Sequence, residues 1–202
     1  MRLTHVLIPL SLAVTGAVLL GAKPASAPAA PSLTASAADV YVVDPVHSFI
    51  LFSIIHVGAS RAYGRFNEFE GRIELAADAA ESSVRFELKT GSVDTGNDGR
   101  DKHIRSADFL NAGEFPVATF QSTQVIQDGD VYRVTGDFTL HGVTKEVKLD
   151  MELVGMGKMR GNTVAGFHGE LEFKRADFGM DGMLNMLSDE MTLIISVEAK
   201  LQ

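Results

Sequence analysis

The chain of 202 residues contains no cysteine, which excludes both disulfides and a lipid-modified cysteine anchor. It is also short of positive charge, with eighteen Lys and Arg against twenty-six Asp and Glu. An acidic surface of this kind argues against nucleic acid and anionic membrane as partners. No GxSxG elbow is present, which weakens a hydrolase assignment. Six histidines occur, yet none stands in an HxH or HExxH spacing, so no metal site is expected. The only long apolar run, Val6–Leu20, is broken by Pro9, Ser11, Thr15 and Gly16 and is short for a membrane span.

That run has a positive start at Arg2 and is followed by the small residues GAKPASAPAAPSLTASAA. This is the plan of a secretory signal peptide. Ala25-Ser26-Ala27 fits the cleavage rule, but Pro28 hinders it, and cuts after Ala29, Ala37 or Ala38 are alternatives. Residues 1–38 are therefore expected to be leader and Ala/Pro/Ser-rich linker, and residues 39–202 one domain. Export would place it in the periplasm or outside the cell, with no stable membrane span after cleavage. Without Arg2 and Lys23 the net charge is near −10. An exported chain without disulfides must be held by its core, and about 164 residues are enough to build one.

From Val40 onward, about eight segments alternate between apolar and polar residues, with turn signals between them. The pattern suggests an antiparallel sandwich or barrel. It is cleanest in Gly136–Leu153, where the tight turn at His141-Gly142-Val143-Thr144 joins two strands. Val147, Leu149, Met151 and Leu153 share one face there, and Lys148, Asp150 and Glu152 the other. His47–His56 is apolar on both faces, so its outer face calls for cover by a helix, a loop or a second subunit, which makes a homodimer conceivable. In Gly64–Leu75, Phe66 and Phe69 have opposite parity and can both face inward only across a bulge near Asn67-Glu68. Asp128-Gly129 signals a hairpin between Val117–Ile126 and Val131–Leu140. Val164–Lys174 and Met191–Leu201 complete the set.

Two segments interrupt the strands. Asn97–Glu114 lacks period-two alternation and suits one or two short helices. Asp101 and Arg105 would form an i,i+4 pair there, with Ile104, Phe109 and Leu110 packing inward. Met180–Leu187 is a loop with three methionines, suited to covering a barrel mouth or acting as a lid over a ligand.

The ordered motifs DPVHS (44–48), Phe52, His56, GRFNEFEG (64–71), DKHIRSADF (101–109), EFPVATF (114–120), GDFTLHGVTKEV (136–147) and KRADFGM (174–180) resemble the YceI family, over roughly Tyr41 to Leu201. The resemblance implies an extended, lipocalin-like, all-β fold: an eight-stranded antiparallel barrel with an elongated apolar cavity for polyisoprenoid or other long-chain lipids. Many members are exported. Physically, eight strands leave room either for side chains alone or for one slender ligand. A ten-residue strand spans about 33 Å, and each buried CH₂ contributes roughly 0.8 kcal/mol.

The expected lining draws on Phe52, Phe66, Phe69, Phe86, Phe120, Phe138 and Phe167, with Ile54, Leu88, Leu140, Met151 and Leu171. The alternative is that these side chains simply fill a solid core. His56 has inward parity at a strand end and is the histidine placed to meet a polar head group. Asp101, Arg105 and Arg175 lie in motifs near the barrel ends. They serve either as anchors, with Arg175 bracing Asp177 or the helical excursion, or as donors to a phosphate or quinone oxygen. Gly155–Gly161 misses the dinucleotide spacing, and Asp94–Asp101 lacks two ligands of a calcium loop. No catalytic constellation emerges.

The sequence thus points to a non-enzymatic, exported protein that sequesters or carries an isoprenoid quinone, a fatty acid derivative or a similar amphiphile, with no other cofactor. The alternative is a stress-related or electron-transfer partner protein, in which the bound lipid or quinone is a structural or redox component.

Overall fold

Alternation along the chain becomes a wall with one wet and one dry surface. The computed structural model describes residues 38–202; the expected leader and nearly all of the linker lie outside them. The strands are β1 (Asp39–Val43), β2 (Phe49–His56), β3 (Ser60–Phe66), β4 (Phe69–Leu75), β5 (Ser83–Lys89), β6 (Val93–Asp94), β7 (Val117–Asp128), β8 (Val131–Leu140), β9 (Val143–Met159), β10 (Asn162–Lys174) and β11 (Leu187–Leu201). One helix, α1 (Asp98–Ile104), lies between β6 and β7.

Eleven segments make eight staves, because three staves are broken. β11 pairs with β2 through Leu187–Ser196 and with β1 through Ala199–Leu201, so β1 and β2 follow one another along a single edge. β4 pairs with β1 and β3 with β2, while β5 and β6 continue the next stave. From β5 the order runs through β7, β8, β9 and β10 back to β11, closing an eight-stranded antiparallel barrel. Closure removes the unpaired edges that an open sheet would present.

The expected faces are the observed ones. Leu149 is buried in β9 while Lys148, Asp150 and Glu152 are exposed. In β10, Ala165, Phe167, Gly169 and Leu171 are buried. The β8–β9 turn places His141 at φ 52° and Gly142 at φ 74°. Two consecutive left-handed residues match the twist of a two-residue hairpin. The break at Asn67-Glu68 does turn both phenylalanines inward. The amides of Asn67 and Glu68 donate to the Ser92 hydroxyl at 3.1 and 3.0 Å, and that of Asn67 also to the Ser92 carbonyl at 3.2 Å.

On the outer face of β2, where Phe49 stays 47% exposed, two arginines of β3 lie against the strand. Arg61 Nη1 donates to the Ser53 hydroxyl at 2.9 Å, and the Arg65 guanidinium lies 5.8 Å from the centre of the Phe49 ring.

DPVHS patches the break between β1 and β2. The Asp44 amide donates to the Glu198 carbonyl at 2.8 Å, and the Ser48 hydroxyl accepts the Glu198 amide at 3.0 Å. The Asp44 carboxylate receives Lys200 Nζ at 2.6 Å and His47 Nδ1 at 2.9 Å. Those two bonds hold its carboxyl well below the usual carboxylate range. Asp44, His47 and Glu198 bring three potential ligand atoms within 4.8 Å of one another, and one of the two carboxylates, Asp44, is already paired with the Lys200 ammonium.

A depressed carboxyl stabilises the fold above its unfolded pKa of about 3.9, and that contribution is lost as the pH falls through the lower folded value. Asp44→Asn is therefore expected to lower stability by about 1.5–3 kcal/mol at neutral pH. In urea titrations across the acid range, the gap from the parent should close as the parent's Asp44 is protonated. A gap independent of pH would show that the carboxylate charge is not what holds the joint.

Candidate functional site: a two-chambered apolar bore

The interior is hollow. One chamber, of about 90 Å³, is walled by Ile73, Val84, Phe86, Phe120, Val125, Val134, Met151, Phe167, Leu171 and Ile195, with Ser82, Thr119 and Tyr132 also among its lining residues but no polar surface turned to the cavity. A second, of about 390 Å³, lies toward the β8–β9 turn and is walled by Phe52, Ile54, Phe66, Leu140, Phe173 and Met191. Leu88, Ala118, Phe138 and Leu193 border both, so the chambers are neighbours with these four side chains, the waist, between them. The wide chamber has the size of a ligand pocket; the narrow one lies beyond the waist.

The bore stays open partly because rings lie against the wall. Gly64 faces Phe52 across β2 and β3, and Gly71 faces Phe86 across β4 and β5. A methyl at Gly64 would overlap the Phe52 ring, and one at Gly71 would stand 2.5 Å from Phe86 Cε2. Each glycine leaves a recess that the neighbouring ring fills, instead of projecting across the barrel. A side chain at either position would push the ring into the bore. Gly71→Ala is therefore expected to narrow the small chamber and weaken binding of long ligands more than short ones, measured by equilibrium dialysis.

Among the expected lining residues, Phe86, Phe120, Met151, Phe167 and Leu171 wall the narrow chamber. Phe52, Ile54, His56, Phe66, Leu140 and Arg175 wall the wide one, and Leu88 and Phe138 border both. Phe69 lines neither chamber; it packs against the core beside them, stacked on Phe86 at 5.9 Å. Asp101 and Arg105 line neither chamber and do not pair with each other. Asp101 is buried and accepts the Thr95 amide at 2.9 Å and the Thr95 hydroxyl. Arg105 donates to the Gly91 carbonyl at 2.7 Å and to that of Val93. Both fasten the helical excursion to the chain around β6, so backbone partners displaced the expected ion pair.

The excursion completes the wall beside β6. Ile104, Phe109 and Leu110 face the wide chamber, as their pattern implied. Asn97 caps α1, its side chain accepting the Arg100 amide at 2.9 Å. The helix then brings Arg100 and His103, three residues apart and so on one face, to the same chamber. Neither was among the expected site residues, although the cap and this spacing were visible in the sequence. Arg100 Nε and Nη2 donate to the Thr95 hydroxyl and carbonyl, both at 2.7 Å, which fixes the guanidinium plane.

Arg175 is fully buried and holds the methionine loop from beneath. It donates to the carbonyls of Ser188 at 2.9 Å, Met180 at 2.7 Å, Gly182 at 2.6 Å and Leu187 at 3.3 Å. Its partners are thus neither Asp177 nor the helical excursion, the two expected from sequence. Burial draws its guanidinium below the ordinary value, and Asp189 and Asp181 oppose that shift. Met180, Met183 and Leu187 roof the wide chamber.

His141 bonds the adjoining turn through Nδ1 to the Phe178 carbonyl at 3.0 Å and packs on Phe115 at 4.7 Å. A carbonyl only accepts, so Nδ1 carries the proton. The TLHGVTK turn is thereby a structural latch under the roof.

A closed antiparallel barrel with an apolar bore and polar groups gathered at its wide end defines a lipocalin-like binding fold. Residues 41–199 match the model of the YceI-like domain, and the chain belongs to that family. It is 46% identical over 154 residues to the protein YceI of Escherichia coli O6:H1, an alignment covering 75% of this chain and 81% of that one. The crystal structure of the Campylobacter jejuni YceI protein superposes with a TM-score of 0.64 at 32% identity, covering 69% of this chain and 84% of that one. A polyisoprenoid binding domain from Saccharophagus degradans shares the fold with a TM-score of 0.59 at 18% identity, covering 80% of this chain and 98% of that domain.

Proposed function

We propose that the protein is an exported carrier or store for a single long-chain isoprenoid-type amphiphile. The observation that carries this is the pair of apolar chambers on either side of the waist of Leu88, Ala118, Phe138 and Leu193. A tail enters the wide chamber and its tip threads into the narrow one. Five carbons per isoprene unit, at roughly 0.8 kcal/mol per CH₂, contribute about 4 kcal/mol per unit before ordering costs. Affinity then needs only a dry tube. The binding of polyisoprenoid by the Saccharophagus domain, which shares the fold, supports the same ligand class.

Polarity sets the ligand's direction. His56, Ser60, Tyr63, Thr95, Arg100, His103 and Arg175 all border the wide chamber. The head group therefore stays at the wide end, near Arg100, whose Nη1 makes no hydrogen bond among the described residues. Arg175 spends its donors on the loop and acts by holding the roof.

The role is binding, not turnover: the Thr95 hydroxyl at the wide chamber is held between Asp101 and Arg100 as part of the fastening of the helical excursion. The working place is outside the cytoplasm, in keeping with the leader-like residues at the N-terminus. A series of prenyl alcohols of rising length, each titrated against the purified chain, tests the proposal. The Kd is expected to fall by about tenfold or more per added unit until the bore is full, and then to level off. A Kd independent of length would refute burial of the tail.

A further inference from the structure

The rim of the wide chamber breaks two local rules at one place. Val57, in the β2–β3 turn, and Met183, in the methionine loop, both have left-handed backbones, at φ 46° and 56°. Such positions favour glycine or asparagine, and a β-branched residue there is an outlier. Both side chains are nevertheless apolar and project into solvent, Val57 at 53% exposure and Met183 at 38%. Leu184 and Met186 beside them are exposed as well. The Val57 amide donates to the Met186 carbonyl at 2.6 Å, so the turn and the loop form one continuous apolar lip. Local inconsistencies of this kind cluster where a surface has a task other than folding.

We infer that this lip docks on a lipid bilayer and lets the tail pass between membrane and chamber without crossing water. Two observations select that occupant. First, the lip is continuous with the bore: Met183 faces solvent and also lines the wide chamber, as does the exposed Tyr63. Secondly, charge points to a neutral membrane. The loop carries Asp181 and no basic residue, and the whole chain has a formal charge of −8. An anionic surface would repel it, whereas zwitterionic lipid presents no such field. The lip would sit at the headgroup boundary, as apolar residues of peripheral proteins do. The inference rests on the proposed lipid chamber for its purpose, but not for its test.

The chain has no cysteine, so one can be introduced at a chosen place. Leu184→Cys, carrying an environment-sensitive fluorophore, reports on the lip. Asp128→Cys, in the exposed β7–β8 hairpin away from the lip, serves as the control. Both labelled full-length proteins are mixed with phosphatidylcholine vesicles containing a doxyl-quenched phosphatidylcholine. The label at 184 is expected to lose about half or more of its emission, as a probe roughly 5–10 Å into the boundary would, and the label at 128 to keep it. Adding Val57→Asp and Met186→Asp to the 184 variant should restore the emission. Equal quenching at both sites, or none at 184, overturns the inference. So does a spectral shift at 184 that follows protein concentration without vesicles, which would assign the lip to a second copy of the chain. The readout needs no lipid in the bore: failure of the carrier proposal would appear in the length series instead.

Discussion

Ala118→Phe is expected to abolish the advantage of long ligands over short ones. Ala118 is buried on β7 opposite Leu88 and borders both chambers. A ring there closes the waist, so a tail can occupy the wide chamber but cannot thread onward. Each isoprene unit denied its place forfeits about 4 kcal/mol of gross burial. Even after ordering costs, affinity for a long prenyl alcohol should fall by about a hundredfold or more. A two-unit alcohol, short enough for the wide chamber, should bind within about threefold of the parent. The new ring enters existing empty space, so the substitution should cost less than the 1–3 kcal/mol typical of overpacking a filled core. Equilibrium dialysis with the two alcohols, beside urea unfolding, separates these effects. An equal loss for both ligands would place binding elsewhere, and an unchanged long-chain affinity would show that the narrow chamber is not used.

Arg175→Met should be the most destabilising single change near the bore. The arginine is 1% exposed and satisfies four carbonyls, those of Met180, Gly182, Leu187 and Ser188. Methionine fills a similar volume and removes the arginine's donor from each of the four. Stranded buried acceptors cost about 1–3 kcal/mol each, reduced where the loop opens to water, so a net loss of about 3–5 kcal/mol is expected. Opening the loop is itself the second readout: amides of residues 180–188 should exchange with solvent much faster than in the parent, while those of β9 and β10 stay protected. Arg175→Lys should recover only part of the loss, because one ammonium cannot reach four carbonyls in a planar fork. A variant of parental stability with a protected loop would refute the role given to Arg175.

The parts of this fold that were legible in the sequence are those with one wet face. β9 and β10 alternate because their outer residues meet water and their inner ones the bore, so Leu149 and Phe167 could be placed by parity alone. The opposed parity of Phe66 and Phe69 likewise located the break between β3 and β4. The break between β1 and β2 was hidden, because its joint depends on Asp44 and Ser48 meeting Glu198 and Lys200 at the far end of the chain. Asp101 and Arg105 have the spacing of a helical ion pair, but spacing carries no information about the free amide of Thr95 or the carbonyls of Gly91 and Val93. Arg175 was singled out by its motif, yet its partners are backbone groups of a loop, which leave no trace in side-chain patterns. The hollowness itself was the least legible feature: it depends on Phe52 lying over Gly64 and Phe86 over Gly71, a matter of strand register.

The central claim is that the bore exists to keep one long tail dry. Purifying the protein from its own host, extracting it with organic solvent and analysing the extract by mass spectrometry tests that claim most directly. About one equivalent of a single isoprenoid-type lipid per chain is the predicted result, with Ala118→Phe prepared in parallel yielding a shorter species or none. An extract free of lipid from the parent protein, or the same lipid in the same amount from Ala118→Phe, would contradict it.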